Sequence, residues 1–159
     1  MAEPLKNGNG TFWAARILTS VGGLGFFPLF PGTVTSLAGA ALFLWLTPDK
    51  ATLLVAVIAV SFLGILLTPR IEARRGKDAG EITLDELAGQ WCAFILVENI
   101  SWPVVLAGFI LFRVFDIIKP FGIDRLQTLP GGYGVVLDDL LAGFYSALVL
   151  ALLHYFGVF

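Results

Sequence analysis

Long apolar runs dominate the chain from residue 33 onward, and short polar, glycine- or proline-containing segments separate them. About 20 predominantly apolar residues cross a bilayer as a helix. The pattern predicts an all-α polytopic membrane bundle of four to five spans with re-entrant or interfacial segments. Its runs are 33–47, 51–67, 87–97, 102–118 and 135–159. The run 87–97 is the shortest. A helix that crosses the bilayer here must include neighbouring polar residues, or else the run inserts only partly.

Composition agrees with a membrane protein. The 159 residues are 57% hydrophobic and 14% charged, with a mean hydropathy of +0.87, whereas soluble domains carry about 25% charged residues. We expect one domain over residues 1–159, with residues 1–30 as a cytoplasmic or interfacial N-terminal segment. The first ten residues are polar, which does not match a cleavable signal. The single Cys92 excludes an intrachain disulfide.

The basic residues are distributed unevenly between the two sides of the predicted bundle. Threading the chain through the spans leaves Lys50 on one side and eight bases on the other. These eight are Lys6, Arg16, Arg70, Arg74, Arg75, Lys77, Lys119 and Arg125. The positive-inside rule assigns the richer side to the cytoplasm. Acids collect at the cytoplasmic ends of the same spans, so we expect any chemistry to lie there.

The first acidic segment contains Asp85 and Glu86, which directly precede an apolar run. Ionised groups next to membrane helices are costly and are usually paired or functional. A structural explanation is also available, because Thr83 and Glu86 have the spacing of a capping box. Asp85 and Glu86 are therefore candidate ligands for a metal ion, and Asp85 is also a candidate catalytic residue.

The second segment places Arg113, Asp116 and Lys119 three residues apart, so that they share one side of a helix that Pro120 ends or kinks. Such a row is either an ion-pair ladder that neutralises itself or an anion clamp whose central carboxylate orients two cations.

The third segment is glycine-rich and leads into a helix whose first turn is expected to hold Asp138 and Asp139. Adjacent carboxylates repel one another unless a cation lies close. A magnesium ion needs one or two carboxylates together with water and substrate phosphate. Both acidic pairs precede a glycine, Gly89 or Gly143, that would let another helix or a ligand approach.

A fourth element lies at the start of the first long run, where Pro31 and Gly32 precede Thr33 and Ser36. Free backbone N–H groups and hydroxyls at a helix N-terminus are an ordinary setting for phosphate. Alternatively, Thr33 is a simple N-cap. His154 lies near the outer end of the last run, away from the acids, and we assign it no function.

Together these four motifs, in this order and spacing, resemble the phosphatidylglycerophosphatase A family from about residue 21 to residue 150. The resemblance implies a magnesium-dependent phosphatase of the bacterial inner membrane, with a phospholipid substrate and no nucleic acid partner. It would convert phosphatidylglycerophosphate to phosphatidylglycerol and inorganic phosphate.

The residues and the resemblance lead to one hypothesis about roles. Magnesium would be held by Asp85, Glu86, Asp138 and Asp139, and phosphate by Arg113, Lys119, Thr33 and Ser36. The catalytic candidates are Asp85, Asp116, Asp138 and Asp139, with water or an aspartate as nucleophile. Two other classes of protein stay open: a small ion- or proton-coupled transporter that uses the acids as a relay, and a structural subunit. No acid or base lies near the middle of a predicted span, which argues against the transporter.

Overall fold

The chain is helical in a computed structural model that describes residues 8–77 and 79–159. Those ranges contain seven α-helices and no β-strand, which confirms the predicted all-α class for the described part of the chain. One predicted cytoplasmic base, Lys6, lies outside the described residues. The helices are α1 (Gly8–Thr19), α2 (Pro31–Leu46), α3 (Lys50–Arg75), α4 (Leu84–Cys92), α5 (Trp102–Ile118), α6 (Ile123–Leu126) and α7 (Gly132–Tyr155).

Two of these helices, α3 and α7, are long and apolar enough to cross a membrane, with 26 and 24 residues. Helix α2 is apolar but has 16 residues. Helix α4 has nine residues, which at 1.5 Å per residue span about 14 Å of a hydrocarbon core of about 30 Å. The third apolar run therefore forms a helix too short to cross, in agreement with the partial insertion considered for it.

Helix α4 lies at the centre of the bundle, against α2, α3 and α7. Two glycines let it approach α7 closely. A Cβ on Gly143 would overlap the carbonyl oxygen of Gly89, and a Cβ on Gly89 would lie 2.6 Å from the carbonyl oxygen of Asp139. The close approach predicted after each acidic pair is therefore present, and it brings the two pairs next to each other.

Two predicted boundaries are wrong. Helix α7 begins at Gly132, so Asp138 and Asp139 lie in its second turn rather than in its first. The glycine-rich segment is helical because close packing requires residues without a side chain there: a Cβ on Gly132 would collide with the backbone of Ile65. Helix α3 continues through Pro69 to Arg75, well past residue 67, where the predicted run ends.

Ion pairs mark the two ends of α3. At its start, Lys50 lies 3.3 Å from Glu98. This pair joins the segment between the predicted runs 33–47 and 51–67 to the segment between the runs 87–97 and 102–118. At its other end, Arg75 lies 3.2 Å from Glu81, and Glu81 also pairs with Arg16 at 2.6 Å. Arg16 and Arg75 thus lie at the end of α3 opposite to Lys50, as the threading predicts.

Candidate active site

Helices α4, α5 and α7 enclose a cleft of about 280 Å³ that is rich in carboxylates. Lys119 also lines this cleft. Arg113 forms an ion pair with Asp116, which is one of the lining residues. The three acidic segments, which are well separated in sequence, therefore meet in one place. The acidic cleft, as we call it, contains the carboxylates of Asp85, Glu86, Asp116, Asp138 and Asp139.

Three of these carboxylates form a tighter group. Asp85, Glu86 and Asp139 each offer an oxygen atom, and these atoms lie within 4.8 Å of one another. Asp85 and Asp139 are buried and Glu86 is half-buried. Within residues 8–77 and 79–159, one buried oxygen of each of the three has no hydrogen-bond partner. Such a group repels itself unless a cation is present, and a divalent, oxygen-ligated ion such as Mg²⁺ fits these donors.

Helix capping does not account for this group. Thr83 is the N-cap of α4, but its side chain makes no capping hydrogen bond. Its hydroxyl oxygen is buried and has no partner among the described residues. The capping box considered for Thr83 and Glu86 is therefore absent. Asp85 and Glu86 do lie in the first turn of α4, where their charge complements the helix dipole.

The second segment forms a chain of ion pairs along the cleft. Arg113 Nη1 lies 2.9 Å from Asp116 Oδ2, and Lys119 Nζ lies 3.7 Å from Asp116 Oδ1. Lys119 also donates a hydrogen bond to Asp138 Oδ2. Helix α5 ends at Ile118, with Lys119 as its C-cap directly before Pro120, as predicted. Asp116 thus lies between the two cations and fixes both relative to the cleft.

The two adjacent aspartates of α7 have different surroundings. Successive helical residues project in directions about 100° apart. Asp139 faces Asp85 and Glu86, whereas Asp138 pairs with Lys119 and accepts a hydrogen bond from the Asp139 backbone N–H at 3.0 Å. Three of the four acids predicted to hold a metal are therefore grouped together, and Asp138 instead faces a cation.

The start of α2 reaches the acidic cleft through a hydrogen bond between Ser36 and Arg113. The helix begins at Pro31 with Phe30 as its N-cap, so Thr33 is its third residue and not a cap. Ser36 donates to the carbonyl oxygen of Gly32 at 2.8 Å and accepts a hydrogen bond from Arg113 Nη1 at 3.4 Å. Thr33 does not line the acidic cleft; it lines a neighbouring apolar groove that also contains Arg113.

Sequence reasoning missed other parts of the cleft. Gln127, Val135 and Ile117 line it, but an amide or an aliphatic residue carries no distinctive signal in a membrane sequence. In the sequence, Gly32 is recognisable only as part of a helix start. In the fold, a Cβ on Gly32 would overlap Glu86 Oε1, so this glycine makes room for the Glu86 carboxylate.

A contrasting acid lies outside the cleft. Glu81 accepts hydrogen bonds from Arg16 Nε at 2.9 Å and from Arg75 Nε at 3.3 Å. The hydrogen bond from Arg16 is the main cause that holds the pKa of Glu81 below its usual value, and the Arg75 guanidinium lowers this pKa further. Glu81 is therefore fully satisfied by the protein and is not a candidate ligand.

Comparison with known proteins agrees with these motifs. The family model for phosphatidylglycerophosphatase A matches residues 17–154. A phosphatidylglycerophosphatase A of Haemophilus influenzae is 37% identical over 144 residues, covering 87% of this chain and 88% of that protein. The Escherichia coli protein of the same name is 35% identical over 138 residues, covering 84% of this chain and 80% of the relative.

A third relative has a different name. A Bacteroides thetaiotaomicron protein, named "Putative phosphatidylinositol-3-phosphatase", is 36% identical over 137 residues, covering 81% of this chain and 86% of the relative. No solved structure matches the chain. The family match spans all the motifs of the acidic cleft, and the chain therefore belongs to the phosphatidylglycerophosphatase A family of phosphatases.

Proposed function

We propose that this chain is a magnesium-dependent lipid phosphatase. It removes the terminal phosphate of phosphatidylglycerophosphate at the cytoplasmic face of the bacterial inner membrane, as a multi-pass protein. The observation that carries the proposal is the group formed by Asp85, Glu86 and Asp139. Its buried oxygen atoms lack partners among the described residues, and it lies beside two cationic side chains in a member of a phosphatase family.

Charge balance supports a cation in the acidic cleft. The cleft joins five carboxylates with Arg113 and Lys119, so negative charge exceeds positive charge when all are ionised. A phosphate monoester would be repelled from such a site. Asp85, Glu86 and Asp139 would hold Mg²⁺, which when bound would offset this charge and polarise the phosphoryl oxygens.

The protein's own residues then position the substrate. Arg113 and Lys119 bind phosphate oxygens, and Asp116 keeps both cations in place through its two ion pairs. Asp138 holds Lys119 from the other side. In the reaction, the oxygen of a water molecule bonds to phosphorus and the bond from phosphorus to the glycerol oxygen breaks. The proton that the water loses is balanced by the proton that the glycerol oxygen takes up. A phosphoryl-transfer transition state spreads charge over its oxygens, so positioning and electrostatics supply most of the acceleration.

Orientation in the membrane is tested with single cysteines. Lys50 and Lys77 are both exposed and lie beyond opposite ends of the long hydrophobic stretch of α3. In a Cys92→Ser background, Lys77→Cys should react with a membrane-impermeant maleimide only after cells are opened, and Lys50→Cys should react in intact spheroplasts. Labelling of both in intact spheroplasts would contradict a cytoplasmic site.

The activity is tested by measuring phosphate release from phosphatidylglycerophosphate by purified protein in detergent, with and without Mg²⁺. We expect release that requires Mg²⁺ and is lost in Asp139→Asn. Phosphatidylinositol 3-phosphate serves as a second substrate, because one relative bears the name of that activity. If neither lipid is hydrolysed while the protein is folded, the proposed function is wrong, and the transporter or structural-subunit alternatives gain support.

A further inference from the structure

A second cleft, which we call the lateral groove, lies between α2 and α5. Its volume is about 380 Å³, within the range of roughly 300–1,000 Å³ typical of ligand sites. Thr33 borders it from α2, and Phe109, Ile110, Arg113, Val114 and Ile117 border it from α5. Apart from Thr33 and Arg113, these side chains are apolar. The groove is therefore unlike the acidic cleft, although both are built partly on α5.

The α5 side of the groove is one continuous stripe. Ile110, Arg113, Val114 and Ile117 follow one another at intervals of three, one and three residues, which is the spacing of a single helix face. From Ile110 to Ile117 this stripe extends about 10 Å along the helix axis. Ile110 and Val114 are exposed, so the groove opens sideways, toward the surface that would meet lipid.

The lateral groove and the acidic cleft are adjacent. Ile117 lines both of them. Arg113 lines the groove and, through Nη1, pairs with Asp116 of the cleft. The Nε atom of Arg113 is buried and has no hydrogen-bond partner among residues 8–77 and 79–159. An unsatisfied guanidinium N–H thus lies where the apolar groove meets the acidic cleft.

We propose that the lateral groove binds an acyl chain of the same phospholipid molecule whose phosphate enters the acidic cleft. This inference rests on the proposed function. A phospholipid carries an anionic headgroup and apolar chains on one glycerol, and Arg113 at the junction matches the point where these two parts meet. Bulk lipid would cover exposed apolar surface on any helix, but a cation with an unsatisfied buried donor at the inner end favours an anionic lipid.

The groove contributes by positioning the substrate. Lipid tails are as apolar as the groove itself, so leaving the bilayer for the groove gains little hydrophobic free energy. Its effect is to fix the direction of the chain, and therefore the depth and orientation of the phosphate relative to Arg113 and the three clustered carboxylates. Misplacement of a reacting group by about 1 Å can cost about a hundredfold in rate.

The test fills the groove without touching the residues of the acidic cleft. Ile110 is 51% exposed in the groove, and Ile58 is 59% exposed on α3, outside the groove lining, so Ile58→Trp is the matched control for Ile110→Trp. Each variant is assayed on dioleoyl and dihexanoyl phosphatidylglycerophosphate in the same detergent. Ile110→Trp should lower kcat/KM about tenfold for the dioleoyl lipid and less than about twofold for the dihexanoyl lipid. Ile58→Trp should change neither.

Activity on the short-chain lipid reports whether the Ile110→Trp protein is folded. If both chain lengths lose activity equally, or neither does, the groove does not bind the substrate chain and the inference is wrong. A wild-type protein that hydrolyses neither lipid would instead contradict the proposed function, and the inference with it.

Photo-cross-linking supplies a readout besides activity. A phosphatidylglycerophosphate analogue with a diazirine in one acyl chain should label the peptide containing residues 109–118 of the wild-type protein, and excess unlabelled substrate should suppress this labelling. Labelling that is spread over α3 and α7 and is insensitive to competitor would show that bulk lipid fills the groove, which overturns the inference.

Discussion

Two groups of charged residues in this chain differ in whether the protein itself satisfies their carboxylates. Around Glu81, one carboxylate receives hydrogen bonds from Arg16 and Arg75. In the acidic cleft, Asp85, Glu86 and Asp139 approach one another within 4.8 Å, and each retains a buried oxygen without a partner in the described parts of the chain. The carboxylate of the first group is fully paired without a ligand. The carboxylates of the second group repel one another, and a cation would offset that repulsion.

Hydrogen-bond and ion-pair partners, rather than the presence of charge, distinguish a structural acid from a candidate ligand. A carboxylate paired with arginine contributes to folding through the free energy of that pair. A carboxylate held near other carboxylates costs folding free energy unless a cation offsets the repulsion. Neutralising an acid should therefore have opposite consequences in the two groups.

The largest effect is expected from neutralising the clustered acids. Asp85→Asn, Glu86→Gln and Asp139→Asn keep side-chain size but remove the charge that attracts a cation. Asp139→Asn, and at least one of Asp85→Asn and Glu86→Gln, should lower activity by about a hundredfold or more. Folding should be unimpaired, because a repulsive charge has been removed. Turnover is measured as phosphate release per folded molecule.

The matched control for these variants is Glu81→Gln, which removes one carboxylate charge from the satisfied group. It should lower the thermal midpoint and leave turnover per folded molecule unchanged. If Glu81→Gln and Asp139→Asn lose the same fraction of activity, the distinction between the two groups fails.

A smaller effect is expected when Arg113 becomes lysine. A guanidinium binds phosphate as a planar fork, whereas an ammonium acts as a point charge. Arg113→Lys should therefore lower kcat/KM about ten- to a hundredfold, on the basis of about 1.5–3 kcal/mol for a charged hydrogen bond. Arg75→Lys, in the group around Glu81, is the control and should leave kcat/KM unchanged. Wild-type kcat/KM in Arg113→Lys would favour an ion-pair ladder with a structural role.

The smallest effect concerns Arg16 and pH. The folded-state pKa of Glu81 is lowered mainly by its hydrogen bond from Arg16, so this pair stabilises the protein above the unfolded pKa of about 4.3. The contribution is lost as pH falls through the lower folded pKa. Arg16→Gln should reduce the thermal midpoint by about 2–4 °C at pH 7, and the difference from wild type should shrink at acidic pH. A constant difference from pH 7 down to pH 3 would contradict this interpretation.

Sequence reasoning identified the helical class, the three acidic segments and the glycines that let α4 and α7 meet, because each has a local signature. It could not separate Asp138 from Asp139, since that depends on the rotation of α7 against α4 and α5. It placed the start of α7 too late, because packing of Gly132 against Ile65 overrides the low helix propensity of glycine. The lateral groove also had no sequence signal, because its apolar residues resemble any lipid-facing helix surface.

The central claim, that Asp85, Glu86 and Asp139 form a divalent cation site, is tested most directly by binding. Mn²⁺ replaces Mg²⁺ as a spectroscopic probe, and free Mn²⁺ is titrated against purified protein by electron paramagnetic resonance. Wild type and Glu81→Gln should bind with equal affinity, Mg²⁺ should displace Mn²⁺, and Asp139→Asn should bind about tenfold more weakly or worse. Equal Mn²⁺ affinity in wild type and Asp139→Asn, or no binding by folded wild type, would contradict the claim.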